Sequence, residues 1–446
     1  MPAAAGAPRG SPVTGGKRRR CYPADRHSPT QPHVKPSISN RRLALLLGGL
    51  SMFGPFSIDT IFPAFPQIGA QMGADKLAMQ QTISVYLLAY AAMSLVHGAL
   101  SDALGRRRVI LGGLAVFLLA SVGCALATTL PQLLGFRALQ GLSAGVGLIV
   151  GRALIRDVLH GDDAQRLMSQ VSMIFGIAPA VAPVLGGWLL GWHRWPAIFW
   201  FLAAFALVLI VAVQRALPET HPPAARLPLR PAGLLRGYSE MARHPRFLRL
   251  SMAAALNFGA LFLYIASAPA FVLDLLGLGE QQFGWFFIPM IGGMMLGAFV
   301  SGRAAGRIDG RRLANIGFAC CGAAMVLNLG YTLWVDVPTV PWAVLPMSLT
   351  AFGIALVFPI ITLAILDMYP HRRGGASSLQ AFFGLLGNAL IAGLLSPLLS
   401  GSGLHLALGA AAFVLGGWLF WWWENRVSGR ALRIPAAPAA LEPSEL

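Results

Sequence analysis

The sequence predicts an all-α polytopic membrane protein of twelve spans, and three observations predict it. Apolar stretches of about 20 residues recur along the chain, the length a helix needs to cross about 30 Å of hydrocarbon. Hydrophobic residues make up 56% of the 446 and charged residues only 11%, with a mean hydropathy of +0.65, which is too little charge to cover a soluble surface of this size. The basic residues, finally, alternate with the connections between the stretches. The apolar runs are continuous rather than alternating, which excludes a membrane β-barrel.

The predicted spans are 44–66, 81–101, 108–127, 131–155, 167–190, 196–216, 249–273, 282–302, 312–333, 339–366, 375–398 and 404–424. Nine Lys and Arg precede the first. Arg106, Arg107 and Arg108 follow the second, Arg156 and Arg166 the fourth, and Arg226, Arg230, Arg236, Arg243 and Arg246 the sixth. Arg303, Arg307, Arg311 and Arg312 follow the eighth, Arg372 and Arg373 the tenth, and Arg426, Arg430 and Arg433 the last. The alternate connections hold only Lys76 and Arg194. This pattern predicts an even number of spans with both termini cytoplasmic. It also accounts for the formal charge of +17 without nucleic acid as a partner.

Four cysteines give no disulfide framework; Cys124, Cys320 and Cys321 lie in apolar runs as small packing residues, and Cys21 lies in a polar tail. Residues 1–43, with Lys17-Arg18-Arg19-Arg20, read as a disordered basic cytoplasmic tail with no cleavable signal peptide, and residues 425–446 as a second tail. The long polar stretch 217–248 is a cytoplasmic linker dividing six spans (44–216) from six (249–424). The halves echo each other. Pro63-Ala64-Phe65 recurs as Pro269-Ala270-Phe271, Gln80-Gln81 as Gln281-Gln282, and Gly105-Arg106-Arg107 as Gly310-Arg311-Arg312, at offsets of about 200–206 residues. Such a repeat predicts two six-helix bundles with a site between them near the midplane.

The connection after the second span reads Gly98-Ala99-Leu100-Ser101-Asp102-Ala103-Leu104-Gly105-Arg106-Arg107-Arg108. Gly98 permits close helix approach and Gly105 a tight turn, while Asp102 can pair with Arg or cap a helix N-terminus in one conformation and not another. The other reading is an ordinary charged loop that sets topology. The spacing matches the G-x-x-x-D-x-x-G-R-[RK] signature of the major facilitator superfamily. From about 40 to 425 the chain resembles the twelve-helix drug:proton antiporters of that superfamily, most closely the bicyclomycin/chloramphenicol-resistance (Bcr/CflA) type. The residues carrying the resemblance are Ile58-Asp59-Thr60-Ile61-Phe62-Pro63-Ala64-Phe65-Pro66, then Arg137-Ala138-Leu139-Gln140-Gly141 with Gly145, and Gly151-Arg152-Ala153-Leu154-Ile155-Arg156-Asp157. Ala178-Pro179-Ala180-Val181-Ala182-Pro183-Val184-Leu185-Gly186-Gly187 resembles the fifth-helix antiporter motif, and Leu217-Pro218-Glu219-Thr220 the close of the first half. Two positions depart from the pattern: Ala182 stands where the motif has Gly, and Arg307 stands at the second-half equivalent of Asp102.

The resemblance implies the major facilitator fold and roles for named residues. Asp59 is a candidate proton carrier, since a carboxylate in hydrocarbon is costly to ionise and usually faces a cavity. Its alternative is a structural acid bonded to Ser57, Thr60 or a helix end. Arg137 would hold Asp59 ionised, or else snorkel to the outer interface. Gly98, Asp102, Gly105, Arg106, Arg107, Arg152, Arg156 and Asp157 form a candidate conformational switch, though topology alone also supplies the last three. Gly176, Pro179, Pro183, Gly186 and Gly187 would bend and closely pack the fifth span, and Gly141 with Gly145 suits helix contact. Aromatic, Met and Asn side chains suited to adaptable recognition mark a candidate cavity: Tyr86, Tyr90, Met173, Phe175, Asn257, Phe258, Tyr264, Phe358, Phe382 and Asn388. Each also reads as lipid-facing or packing. His97 reads as an interfacial histidine or as a modulator of coupling.

These readings predict a proton-coupled multidrug efflux transporter of the bacterial inner membrane. It would act as a monomer on small amphipathic compounds such as antibiotics, with the proton gradient as energy source and no cofactor or metal. A metabolite exporter or importer on the same fold is the alternative. An integral-membrane enzyme finds less support: the nine histidines are scattered and neither H-E-x-x-H nor a Ser/His/Asp arrangement stands out. There is no P-loop, and a channel finds no filter-like repeat or charged pore ring.

Overall fold

The computed structural model describes residues 40–428 except 160, 227, 230 and 371, without the side chains of Asn40, Arg156, residues 161–166, Ser169, Ser172, Met173 and Ala225. The expectations for residues 1–39 and 429–446 lie outside the described residues.

Among the described residues, twelve helical segments are long and apolar enough to cross a membrane. The first span is broken: α1 (Asn40–Asp59), a 3-10 turn (Phe62–Ala64) and α2 (Phe65–Met72). Pro63 explains the break, because it carries no N–H for the Asp59 carbonyl four residues back and disfavours helix at the residue before it. α3 (Lys76–Leu104) and α4 (Arg106–Leu126) form the second and third spans. The fourth is split at Gly145 into α5 (Leu130–Ala144) and α6 (Val146–Val158). α7 (Gly161–Trp192) carries Pro179 and Pro183 in its interior and starts earlier than 167, and α8 (Pro196–Ala216) is the sixth span.

The connection after α8 holds a short helix, α9 (Pro231–Ala242), before α10 (Pro245–Ala266) and a π-helical stretch, Ala270–Leu275. α11 (Gly284–Ala304), α12 (Gly310–Trp334) and α13 (Leu345–Met368) follow. The eleventh span is α14 (Arg373–Leu390), a π-helical stretch (Ile391–Leu395) and α15 (Ser396–Leu399); the twelfth is α16 (Gly403–Ser428).

Close seams join α1 to α7, α3 to α5, α4 to α8, α10 to α16, and α13 to both α11 and α12. Small residues make several of them. A Cβ at Gly141 would strike the Tyr86 carbonyl, and one at Gly147 the Leu50 carbonyl, so these helices touch backbone to backbone. Two further seams, α3 with α14 and α7 with α11, connect helices preceding α9 to helices following it. Glu424 on α16 is buried and pairs with Arg246 and Arg249 of α10, each at 2.9 Å.

Candidate functional site

Asp59 is the last residue of α1 and 5% exposed, and its carboxylate makes no hydrogen bond or ion pair with any described residue. Arg137 on α5 bonds Ser57, two residues back along the chain, and does not pair with Asp59. Arg137 is fully buried, so it does not snorkel to the interface as the alternative had it. Its Nη1 donates to the Ser57 carbonyl at 2.9 Å, to Ser57 Oγ at 3.0 Å and to Gln140 Oε1 at 2.9 Å, and its Nε donates to the Thr82 carbonyl at 3.2 Å. The guanidinium lies 4.5 Å from the centre of the Tyr86 ring. Gln140 in turn donates to Ser121 Oγ, which donates to the Phe117 carbonyl, both at 2.8 Å.

The location explains the pattern. The last carbonyls of α1 have no intrahelical donor, and a helix C-terminus favours a cation. Arg137 therefore caps the broken first span, and the expected Asp59–Arg137 ion pair is absent from this conformation. Its Nη2 is buried without a partner. The break itself is held from the other side by the antiporter motif: a Cβ at Gly186 of α7 would strike the Thr60 carbonyl.

A second cluster gathers between α3 and α4. Gly105 has φ +101°, a conformation that L side chains rarely adopt, and it ends α3 and begins α4 in one residue. Arg106 pairs with Asp102 one turn back and with Asp157 Oδ2 at 2.9 Å, and Thr220 also donates to that oxygen at 3.4 Å. Glu219 accepts from the Arg106 backbone N–H at 2.9 Å and so caps α4. The structure thus joins Asp102, Gly105, Arg106 and Asp157, while Arg107 reaches the Gln214 carbonyl instead, at 2.7 Å. Arg152 is exposed, Gly98 meets no neighbour, and the Arg156 side chain lies outside the described residues. In the second half Asp309 caps α12 directly, accepting from the Arg311 N–H at 3.2 Å. That is the place Glu219 takes in the first half.

The expected cavity residues divide. Tyr86, Asn257 and Tyr264 are buried in helix seams rather than lining an opening: Tyr86 lies beneath Arg137, Tyr264 accepts from Asn328 at 2.8 Å, and the Asn257 backbone faces Gly417. A polar residue inside an apolar run reveals polarity, not which face of its helix it occupies. Asn388 is buried as well. Tyr90, Phe175, Phe258 and Phe382 are half-buried, Phe358 is 44% exposed, and the Met173 side chain lies outside the described residues. His97 is buried against Gly145, where a Cβ would come within 3.0 Å of its Nδ1. Of the antiporter motif, Pro183, Gly186 and Gly187 are buried, Pro179 is half-buried, and Gly176 meets nothing.

Sequence reasoning gave Gln140 and Glu219 only as parts of motifs, without a role, and missed Glu424. The signal was present for each: an acid in a basic connection, an amide one turn from a buried arginine, and an acid at the basic end of a span.

Fold and site together define a multi-pass α-helical membrane protein with a cation and an acid buried at a break in its first span. The description of the Major Facilitator Superfamily matches residues 45–392, and the chain belongs to that family of transporters. An uncharacterized MFS-type transporter of Bacillus subtilis (strain 168), YdgK, is 30% identical over 355 residues, 78% of this chain and 87% of its own. A chloramphenicol resistance protein of Pseudomonas aeruginosa is 28% identical, covering 78% of this chain and 81% of its own. A bicyclomycin resistance protein homolog of Haemophilus influenzae is 28% identical, covering 62% and 69%. The crystal structure of the human organic anion transporter MFSD10 (TETRAN) superposes with a TM-score of 0.63 at 18% identity, over 87% of this chain and all of that one; it supports the fold alone.

Proposed function

We propose that this transporter is a proton-coupled multidrug exporter, working by alternating access between two six-helix bundles, 44–216 and 249–424. The observation that carries the reading is the partnerless buried carboxylate of Asp59, two residues along from the carbonyl that Arg137 caps. A partnerless carboxylate in such a place is held more cheaply as the neutral acid. On losing its proton, Asp59 would demand a cation, and Nη2 of Arg137 is an unsatisfied donor of the group that caps the same helix. Drawing Arg137 toward Asp59 would loosen the cap on α1, so proton occupancy and the shape of the first span are linked.

Relatives whose names record resistance to bicyclomycin, chloramphenicol and multiple drugs support small amphipathic antibiotics as cargo. The basic connections support an inner-membrane orientation with both termini cytoplasmic. The reading asks for protons and drug as the only ligands of a monomer, with no cofactor, metal or catalytic step. Export is distinguished from import on the same fold by the direction in which a proton gradient drives substrate. The test is expression in an efflux-deficient bacterial host against a broad antibiotic panel. Wild type should raise resistance to at least one compound, and Asp59→Asn should lose that resistance at equal membrane abundance. Resistance undiminished in Asp59→Asn would remove Asp59 as the carrier.

A further inference from the structure

The outer end of the bundle, opposite the basic connections, is closed by bonds from α1–α3 to the second half. Two involve a charged side chain: the exposed pair of Lys76 Nζ with Asp274 Oδ2 at 2.5 Å, and the part-buried bond of Gln67 Nε2 to Glu280 Oε2 at 3.3 Å. Exposed ion pairs are screened by salt and shift an equilibrium by a few-fold at most. Three others run from neighbouring turns of α3 onto backbone carbonyls. Gln80 Nε2 donates to Ala266 at 2.9 Å, Gln81 Nε2 to Gly393 at 2.9 Å, and Ser84 Oγ to Ala389 at 2.9 Å.

The acceptors have a common property. Ala266 is the last residue of α10, so its carbonyl is among those with no helical donor. Gly393 lies four residues before Pro397, which has no N–H to give it, and Gly393 and Ala389 lie in and beside the π-helical stretch Ile391–Leu395. Gly393 also lets α3 approach: a Cβ there would lie 2.5 Å from Ser84 Oγ and 2.9 Å from Ser84 Cβ. Ser267 and Ser396 share a hydrogen bond at 2.8 Å, which ties together the two helix breaks that carry the acceptors. A pocket of about 230 Å³, walled by Phe65, Met79, Gln80, Leu273 and Pro397, lies beside Gln80.

The internal repeat points the same way. Gln281, counterpart of Gln80, also meets the opposite half, with its Cα 3.0 Å from a Cβ built at Gly187 and its amide against Gly191.

We propose that Gln80, Gln81 and Ser84 are the latch of the outer gate, and that Pro397 supplies its receptor by denying the Gly393 carbonyl its α-helical donor four residues on. The latch rests on the alternating-access reading above. In the closed state α3 supplies donors to carbonyls at and beside breaks in its partner helices. Opening moves those carbonyls to water, so the cost of opening is set by these bonds, two of them buried and that of Gln81 part-buried, rather than by the exposed ion pair. A receptor of backbone carbonyls presents no charge to a passing cationic or anionic drug, which suits a gate on a path for varied cargo.

Full-length protein in lipid nanodiscs, with Cys21 and Cys320 replaced by Ser and nitroxides at Ala70→Cys and Leu398→Cys, reports the separation of the outer ends by pulsed electron paramagnetic resonance. Gln81→Leu should shift the open-to-closed ratio toward open by roughly fivefold, the effect of one hydrogen bond, and Ser84→Ala should shift it the same way. In a Pro397→Ala background, where residue 397 regains an N–H, the effect of Gln81→Leu should fall to within about twofold. Equal shifts from Gln81→Leu with and without Pro397 would overturn the receptor. Unchanged distances in both latch variants, while wild type still responds to pH or drug, would overturn the latch and leave alternating access standing. A wild-type distribution that never responds would overturn both.

Discussion

Arg137 has no exposure at all, and a buried guanidinium persists only where acceptors and a ring face surround most of it; here Nη2 alone is left without one. Arg137 spends its charge on the end of α1, bonding the Ser57 carbonyl and hydroxyl, the Thr82 carbonyl and Gln140. Arg137→Ala would leave two carbonyls and an amide oxygen short of a donor. The expected loss is about 2–4 kcal/mol of stability, read as a lower unfolding temperature of purified protein, with Arg137→Lys recovering part of it because one cation remains. An unchanged unfolding temperature in Arg137→Ala would contradict the capping role. Asp59 and Arg137 were legible in the sequence because a charge inside an apolar run is anomalous by itself. Their failure to pair was not, since the competing acceptors are backbone carbonyls, which side-chain patterns do not display.

The informative elements are broken helices. α1 stops where Pro63 withholds a donor, the eleventh span loosens ahead of Pro397, and α3 gives way to α4 at a single glycine. Gly105→Ala would force a side chain into φ +101° and bring its Cβ to 2.6 Å from a Glu219 carboxylate oxygen. We expect about 1–3 kcal/mol lost from the strained turn alone. Turnover should also slow while drug binding to the purified protein is retained, checked by comparing a binding titration with a transport rate. Turnover at the wild-type rate would show that the turn is not part of the working cycle. The loop motif made Gly105, Asp102 and Arg106 visible from spacing. The part played by Glu219 was hidden because its partner is a backbone N–H more than a hundred residues away in the chain.

At the scale of the molecule, hydropathy and the alternation of basic connections made twelve spans legible, and the observed helices follow them except at ends shifted by prolines and glycines. Which polar residues face a cavity was not legible, as Tyr86, Asn257 and Tyr264 show by packing into seams. The central claim, exchange of drug for protons through Asp59, concerns the whole cycle and is best tested on it. Purified protein in sealed proteoliposomes with a trapped pH-sensitive dye receives a drug gradient directed inward, with no imposed pH difference. The account predicts that drug entry raises luminal pH as protons leave in exchange, and that Asp59→Asn vesicles show no such rise. Drug entry through the wild-type protein at constant luminal pH, or an equal rise with Asp59→Asn, would contradict it.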